Sequence, residues 1–572
     1  MRKNRRIAAL LTAGLLALTP CVSAGMSVFA GATDSYTINV NESATGYSYK
    51  AYQIFAGNVA EKEGKKVLSD IKWATGFNDT AFLAAIQGDD DLKTTFTSAD
   101  NTAEKVANKL KTVTDDKKLA AFARLAKLNV AGEGTANATQ AEGKYPINVT
   151  GSGYYLVEET GIPAGNPAGQ EEVYSRFMLD VVGDAEVNPK RDLPTLDKKI
   201  TGPNAKDGGK ANGVSIGDAV SYEIDTDMPD MTGYEKYFYV INDTLAGGLT
   251  FDPTSVVVTI DGEEVDAGDD YEVQTGTAAA PYTFQIVFKD FVNRTEAKDS
   301  PIVVTYNAYL NENANRSTAG NLNTANLTYS NNPNKHYDGE PPTSDEPGDG
   351  DPTGKTPDKQ TKTYTANIKL TKTDEEGNAL KGAKFQISGT TAKAVMINGT
   401  SYVKDDAGSF YKLKDGTFTE TAPNGNENLY DGTDKYKEVE GIDKTTTYEN
   451  ICKEAYVKAD GTLEFGGLGA GEYTITELVA PKGFNKLENP ITVVIKDDGI
   501  TFSSPVWTAT KDGADIEMTD IVNVAFQIKN KEGSTLPSTG GVGTKLFYLF
   551  GGMLAVGSGV VLVTKKRMSY EK

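Results

Sequence analysis

Three residues that could react with one another lie in the last third of the chain: Lys372, Glu477 and Asn530. Side-chain alternation turns Lys372 toward the same face as two preceding apolar residues, and the segments 473–477 and 524–530 place Glu477 and Asn530 in the same way. Apolar surroundings lower the pKa of an amine and raise that of a carboxyl group. A neutral lysine could then attack the asparagine carbonyl while a protonated carboxyl polarises it, releasing ammonia and leaving an isopeptide. The alternative is a buried Lys–Glu salt bridge with a hydrogen-bonded asparagine.

The middle of the chain repeats this arrangement with other residues. Lys198 shares a strand face with Leu196 and Ile200, and Asp243 ends a similar alternating strand. The last strand of this region carries two asparagines on one face, Asn323 and Asn331. Both asparagines are candidate partners, and a simple Lys–Asp salt bridge is again the alternative.

These residues require strands to position them, and the sequence predicts a mainly β chain of tandem immunoglobulin-like β-sandwich domains. Helical spacing of apolar residues at 79–86 and 101–128 predicts a helical insertion in the first domain. A polar insertion at 424–448 is interpreted as a surface loop. The predicted units are a first domain at 31–187, a middle domain at 188–332, a Pro- and Gly-rich linker at 333–363, and a third domain at 364–531.

The N-terminus reads as a secretory signal peptide over residues 1–30, with basic residues, an apolar run and then small residues. Cleavage after Ala24 and cleavage after Ala30 both fit, and we favour Ala30. Cys21 as a lipid-bearing residue is the alternative, but Pro20 stands where a small residue should precede it.

The C-terminus, residues 536–572, combines a pentapeptide, an apolar stretch from Leu546 to Val563, and a basic tail of Lys565, Lys566 and Arg567. It resembles the LPXTG cell-wall sorting signal. This resemblance implies that a sortase cleaves after Thr539 and that the apolar segment retains the chain in the membrane only until that cleavage. An ordinary single-span membrane anchor is the alternative. The pentapeptide is Leu536, Pro537, Ser538, Thr539 and Gly540.

Composition excludes several classes of function. The formal charge is −21, which argues against a nucleic-acid partner. The chain has one histidine, His336, and Cys452 is the one cysteine outside the signal peptide. Histidine-based catalytic sets and His/Cys zinc sites are therefore not expected. We expect no cofactor, no metal and no turnover enzyme.

The third domain resembles the B-type repeat of collagen adhesins and pilins at Leu370–Lys372, Thr476–Phe484 and Ile528–Asn530. This resemblance implies a Lys372–Asn530 isopeptide with Glu477 as its catalyst. The first domain shows no comparable set, and no isopeptide is predicted there.

The middle domain resembles the isopeptide-forming second domain of Gram-positive pilins. The resemblance implies Lys198 as the amine, Asp243 as the catalytic carboxyl group, and Asn323 or Asn331 as the acceptor. Asn323 is preferred because the family's asparagine usually precedes the apolar triplet of this strand.

The segment from Val187 to Lys190 resembles the pilin motif, whose lysine is the nucleophile of polymerisation. Asn188 stands where the motif usually has tyrosine, and a solvated linker lysine is the alternative. The combined features predict the backbone subunit of a covalent surface pilus, anchored to peptidoglycan. Its expected partners are a sortase, other copies of itself and peptidoglycan, with accessory pilins and host surface ligands as further candidates.

Two other functions compete with this prediction. A monomeric wall-anchored adhesin for a host matrix protein or glycan could use the same domains and anchor, but it would need no acceptor lysine at position 190. A surface enzyme is disfavoured because no recognisable catalytic cluster occurs in the sequence.

Overall fold

The computed structural model describes residues 28–29, 34–163, 172–335, 345–347, 351–389, 395–424, 426–443, 451–534 and 542–568. Strands dominate all three large units, and their sheets enclose separate apolar cores. The predicted fold class, mainly β with tandem sandwich domains, is confirmed. The predicted signal peptide lies outside the described residues except for Val28–Phe29, whose backbone pairs with Ala60 and Val59. Cleavage after Ala24 would leave this short strand on the mature chain, and cleavage after Ala30 would remove it.

The first domain has a sheet of three strands and a sheet of six strands. Three helices cover part of the larger sheet, and the predicted helical stretch 101–128 is two helices because Asp115 caps a new one by accepting a hydrogen bond from the Lys118 amide. The helices are Asp79–Gly88, Ala103–Leu110 and Asp116–Asn129. The strands are Val28–Phe29, Ser35–Asn41, Ser48–Lys62, Lys65–Trp73, Thr135–Ala136, Lys144–Thr150, Gly153–Gly161, Arg176–Val181 and Ala185–Val187.

The middle domain packs a five-stranded sheet against an eight-stranded sheet around one core. Alternation along each strand turns apolar side chains inward and polar ones to solvent. The five-stranded sheet contains Leu196–Thr201, Ala219–Asp227, Pro301–Leu310, Leu249–Ile260 and Glu263–Glu264. The other sheet contains Ala205–Lys206, Ala211–Gly213, Lys359–Tyr364, Asn321–Ser330, Tyr239–Leu245, Phe284–Phe288, Tyr271–Thr275 and Thr353–Lys355.

The predicted linker 333–363 is wrong for its last part. Thr353–Lys355 and Lys359–Tyr364 are strands that pair with Asn321–Ser330 in the sheet of the middle domain. Thr361 and Thr363 are fully buried in this sheet, and β-branched threonine is a residue type that strands favour. The abundance of Pro, Gly and Asp before this point hid the strand pattern.

The fourteen strands of the third domain form one continuous hydrogen-bonded sheet around a single core. Its opening strand, Ala366–Thr373, pairs in parallel with its closing strand, Asn523–Lys529. The remaining strands are Lys384–Gly389, Met396–Lys404, Phe410–Leu413, Phe418–Thr419, Tyr430–Asp443, Ile451–Tyr456, Thr462–Leu468, Gly471–Val479, Ile491–Ile500, Pro505–Lys511, Ala514–Ile516 and Met518–Thr519.

The interpretation of 424–448 as a surface loop is wrong for Tyr430–Asp443, which pairs with Met396–Lys404. Most of the described side chains of this strand are exposed, so the polar residues that suggested a loop lie on an exposed sheet surface. Near the C-terminus, the helix Val542–Met568 contains Leu546–Met568, which is long and apolar enough to cross a membrane, with a mean hydropathy of 2.1. This confirms the predicted apolar span.

Candidate functional site

The middle domain brings three of its predicted residues together around a tyrosine. Lys198 forms an ion pair with Asp243, and its Nζ lies 2.5 Å from the hydroxyl of Tyr306. The Tyr306 hydroxyl donates to Asp243 Oδ2 at 2.7 Å and accepts from Asn323 Nδ2 at 2.8 Å. All four side chains are buried in the core between the two sheets. We call these four residues the middle centre.

Burial controls the protonation of the middle centre. Loss of water lowers the pKa of Lys198, an effect that the neighbouring Asp243 carboxylate opposes. The same burial raises the pKa of Asp243, against the opposing effects of Lys198 and Tyr306. Both shifts favour the neutral amine and the protonated acid, which are the forms that amide exchange requires.

The second candidate acceptor, Asn331, lies elsewhere. Its side-chain amide donates to the Glu172 carbonyl at 3.2 Å, and its own carbonyl accepts from the Tyr174 amide at 2.8 Å. Asn331 therefore ties the middle domain to the first domain. The contacts of Asn323 favour it over Asn331 as the partner of Lys198.

The third domain brings Lys372, Glu477 and Asn530 to one end of its core, and all three are buried. Asn530 Nδ2 lies 2.9 Å from Glu477 Oε1 and 3.2 Å from Oε2. Glu477 Oε2 also accepts from the Leu487 amide at 2.8 Å, which fixes the carboxyl group. We call Lys372, Glu477 and Asn530 the third centre.

Lys372 reaches the third centre from the neighbouring strand. Its Nζ donates to the Ile528 carbonyl at 3.0 Å, and residues 372 and 528 are register partners in the parallel pair. The pKa of Lys372 is lowered to about 8 by burial, which the charge of Glu477 partly opposes. The lysine and the asparagine thus lie on adjacent strands, the opening and the closing strand of the domain.

Lys190 lies where the first and middle domains meet. Its side chain is 50% exposed and its Nζ is 2.9 Å from Asp230 Oδ2. The Ser175 hydroxyl donates to its backbone carbonyl at 2.9 Å, so the main chain is held while the side chain stays half exposed. Beside it is a cavity of about 130 Å³ whose lining includes Asp116, Tyr174, Asp230 and Tyr237.

The residue after Lys190 is a partly buried cation that the sequence reasoning missed. Arg191 forms ion pairs with Glu42, with Glu159 at 2.6 Å and with Glu172 at 3.5 Å, and its guanidinium stacks on Tyr47 at 4.1 Å. These contacts fix the backbone next to Lys190. An arginine next to the pilin-like motif does not by itself indicate this role, so the sequence contains no signal for it.

Tyr306 was also missed, although the sequence held a signal for it. Ile302, Val304, Tyr306 and Ala308 alternate along one strand, so a tyrosine is turned inward with its hydroxyl in need of a polar partner. The sorting pentapeptide Leu536–Gly540, including Thr539, lies outside the described residues.

Three family models match the chain. Residues 216–333 match "Gram-positive pilin backbone subunit 2, Cna-B-like domain" and residues 366–506 match "SpaA: Prealbumin-like fold domain". Residues 528–569 match "LPXTG cell wall anchor motif". The two domain matches contain Asp243, Asn323, Lys372 and Glu477.

The chain is also similar to individual proteins and solved structures. The trypsin-resistant surface T6 protein of Streptococcus pyogenes serotype M6 is 28% identical over 400 residues, which span 66% of this chain and 70% of that protein. The structure of the T6 backbone pilin superimposes with a TM-score of 0.48 at 16% identity, covering 89% of this chain and 100% of that one. The RrgB pilus protein from Streptococcus pneumoniae gives a TM-score of 0.42 at 16% identity, covering 89% and 100%.

The family models and the T6 relative, together with the apolar C-terminal helix, confirm the sequence-based prediction of function and location. The chain is a backbone subunit of a sortase-assembled pilus, with an LPXTG anchor that holds it transiently in the membrane and attaches it to the cell wall.

Proposed function

We propose that copies of this subunit are joined by an amide between Lys190 of one copy and Thr539 of the next, and that each copy is locked by two internal Lys–Asn bonds. The half-exposed side chain of Lys190, on a fixed backbone at a domain junction, is the observation that supports the first bond. The buried middle and third centres support the other two.

The intermolecular bond follows from sortase chemistry. The sortase cysteine breaks the Thr539–Gly540 peptide bond and holds the Thr539 carbonyl as a thioester, releasing the C-terminal segment. The deprotonated amine of Lys190 then attacks this carbonyl, and the thiolate leaves. Each round adds one subunit, and attack by a peptidoglycan amine in place of Lys190 ends the fibre on the wall.

The internal bonds form without an external enzyme. In the third centre, neutral Lys372 attacks the Asn530 side-chain carbonyl while Glu477 protonates its oxygen and returns protons to the departing nitrogen, which leaves as ammonia. In the middle centre, Lys198, Asn323 and Asp243 take the same roles. Each centre reacts once, so the carboxyl groups serve self-processing and not turnover.

The test of polymerisation is a gel of cell-wall extracts probed for this chain. We expect a ladder of high-mass bands from the wild type and a single wall-linked monomer from Lys190→Arg, because a guanidinium stays protonated and cannot resolve the thioester. Lys199→Arg is the matched control, since Lys199 is a nearby partly exposed lysine paired with Glu223 and Asp225.

The outcomes separate the candidate functions. A ladder that persists in Lys190→Arg would contradict the assignment of Lys190. A single monomer band from the wild type would contradict polymerisation and favour the monomeric adhesin. Accessory pilins and host ligands stay predictions, and pull-down from wall extracts of the wild-type fibre would test them.

A further inference from the structure

The middle centre contains a hydroxyl group at the point where a proton must move. Tyr306 Oη lies 2.5 Å from Lys198 Nζ, 2.7 Å from Asp243 Oδ2 and 2.8 Å from Asn323 Nδ2. A phenol has one proton to donate and two lone pairs that accept. The ammonium and the amide N–H groups can only donate here, so the phenol accepts from both and directs its own proton at the Asp243 carboxylate.

The tyrosine is held in this position by the core. Its ring stacks on Tyr222 with centroids 5.1 Å apart and meets the edge of Phe284 at 5.0 Å. Residues 222 and 306 are register partners on adjacent strands, so the stack follows from the sheet itself. The hydroxyl therefore has little freedom to leave the three groups.

Asn323 contacts Tyr306 in the middle centre, whereas Asn530 contacts Glu477 directly in the third centre. In both centres the amide nitrogen must gain a proton before it can leave as ammonia. The third centre can supply this proton straight from its carboxyl group. In the middle centre the Asn323 amide nitrogen contacts the Tyr306 hydroxyl, and this hydroxyl in turn contacts the Asp243 carboxyl group.

We propose that Tyr306 is a catalytic residue of the Lys198–Asn323 bond, relaying a proton from Asp243 to the departing amide nitrogen. This inference rests on the proposed internal bond of the middle domain. It assigns the tyrosine a role that the third centre does not need.

The protons balance through the following steps. Proton transfer within the ion pair first makes Lys198 a neutral amine and Asp243 a carboxylic acid. Lys198 then attacks Asn323 Cγ, and Asp243 gives its proton to the amide oxygen. The new N–C bond leaves a positive nitrogen, which returns one proton to Asp243. Tyr306 then gives its proton to the Asn323 nitrogen and takes the proton of Asp243. The C–N bond breaks, ammonia leaves, and the oxygen-bound proton returns to Asp243 as the carbonyl re-forms.

Tyr306 ends each reaction as it began, as a neutral phenol. Burial, followed by the nearby Asp243 charge, raises the pKa of Tyr306 well above its ordinary value. A free phenolate is therefore disfavoured, and gain and loss of the proton must be coupled. The hydrogen bonds on both sides of the hydroxyl provide that coupling.

The test is a time course of bond formation in newly synthesised protein. Cell-free translation of the full chain, quenched at intervals and digested, yields the branched Lys198–Asn323 and Lys372–Asn530 peptides for quantification by mass spectrometry. For Tyr306→Phe we expect the middle bond to form about 10²-fold more slowly, the lower range for loss of a proton-transfer group. The Lys372–Asn530 bond in the same chains should form at its wild-type rate.

Tyr239→Phe is the matched control, because Tyr239 is equally buried in the same core but its hydroxyl contacts Thr226 and the Asp227 carbonyl. An unchanged middle-bond rate in Tyr306→Phe would overturn the relay. Should that variant not fold, 3,5-difluorotyrosine at position 306 keeps the ring and changes its acidity, and an unchanged rate would again overturn the inference. Absence of the branched Lys198–Asn323 peptide from the wild type would overturn the internal bond itself, and the relay with it.

Discussion

The middle and third domains bury an amine, a carboxyl group and an asparagine amide in their cores, but the two centres connect these groups differently. In the middle centre the lysine is ion-paired with its carboxyl group and a tyrosine bridges both to the asparagine. In the third centre the carboxyl group contacts the asparagine directly and the lysine donates to a backbone carbonyl.

The proposed bond-forming reaction would therefore start from a different hydrogen-bond network in each centre. The middle centre stabilises its lysine before reaction through the ion pair. The third centre instead leaves the amine without a carboxylate contact among the described residues, and burial brings the pKa of Lys372 to about 8. The two centres should therefore respond differently when individual residues are removed.

The largest expected effect is loss of a bond when its carboxyl group is removed. Asp243→Ala should abolish the middle bond alone, and Glu477→Ala the third bond alone, because the two centres lie in separate cores. Intact-mass measurement should show the wild type lighter than its sequence by two ammonias, about 17 Da each. Each variant should be lighter than its own sequence by one.

Asp225→Ala is a control for these masses, because Asp225 is a surface carboxylate paired with Lys199. It should retain both losses. Loss of both bonds from one substitution would contradict the independence of the two centres, and a wild-type mass equal to that of the sequence would contradict both bonds.

A smaller effect is expected when we compare how much stability the middle and third domains each lose without their internal bond. Each cross-link closes a loop of on the order of 10² residues, worth about 5 kcal/mol in the chain-entropy model. Asn323→Ala leaves Lys198 paired with Asp243, whereas Asn530→Ala leaves Lys372 buried, with the Thr373 and Ile528 backbone carbonyls as its hydrogen-bond partners among the described residues. The third domain should lose about 1–3 kcal/mol more than the middle domain, the penalty of a poorly satisfied buried polar group.

Calorimetry of the two variants, with protease digestion to assign each transition to its domain, measures this difference. Asn326→Ala serves as a control, since Asn326 lies on the same strand as Asn323 but contacts Asn242 and Asp358, which lie outside the middle centre. Equal losses in the two domains would indicate that the ion pair of the middle centre adds nothing to stability.

The pH dependence of the stability of the Asn530→Ala variant has a definite sign. Burial lowers the pKa of Lys372 to about 8 from the 10.5 of an unperturbed lysine. Between these pH values the unfolded chain binds more protons, so the free energy of unfolding should rise with pH from about 8 to about 10. Below pH 8 both states are protonated at this residue and its contribution should be constant.

Denaturant titrations of the third domain across this range would measure the slope. The double variant Lys372→Met, Asn530→Ala lacks the titrating amine and should lack this component of the slope. If stability instead falls with pH in Asn530→Ala relative to the double variant, the lowered pKa of Lys372 is contradicted.

The sequence predicted the sheet faces well because alternation is local. Lys198, Asp243 and Asn323 each lie on a strand whose period-two pattern turns them inward, and the structure brings them to one core. The prediction of a linker up to residue 363 was wrong because Lys359–Tyr364 is a polar strand, which becomes recognisable only when it is seen paired with Asn321–Ser330. Pairing between strands distant in sequence is a tertiary property that composition does not reveal.

The bridging role of Tyr306 could not be derived from the sequence for the same reason. Its strand predicts that it faces inward, but its position between Asp243 and Asn323 depends on how the two sheets pack across the core. Likewise Asn323 and Asn331 share one strand face, and only contacts with other elements distinguish them.

The smallest expected effect concerns Asn331, the alternative acceptor. Asn331→Ala should keep both ammonia losses, because its amide donates to the Glu172 carbonyl and not to any residue of the middle centre. The lost hydrogen bond at the junction of the first and middle domains should cost about 1 kcal/mol of stability. Peptide mapping should still find the branch at Asn323 in this variant and no branch in Asn323→Ala. A branch that disappears in Asn331→Ala while Asn323→Ala retains it would reverse the assignment of the acceptor and remove the reason for a tyrosine relay, since Tyr306 contacts Asn323.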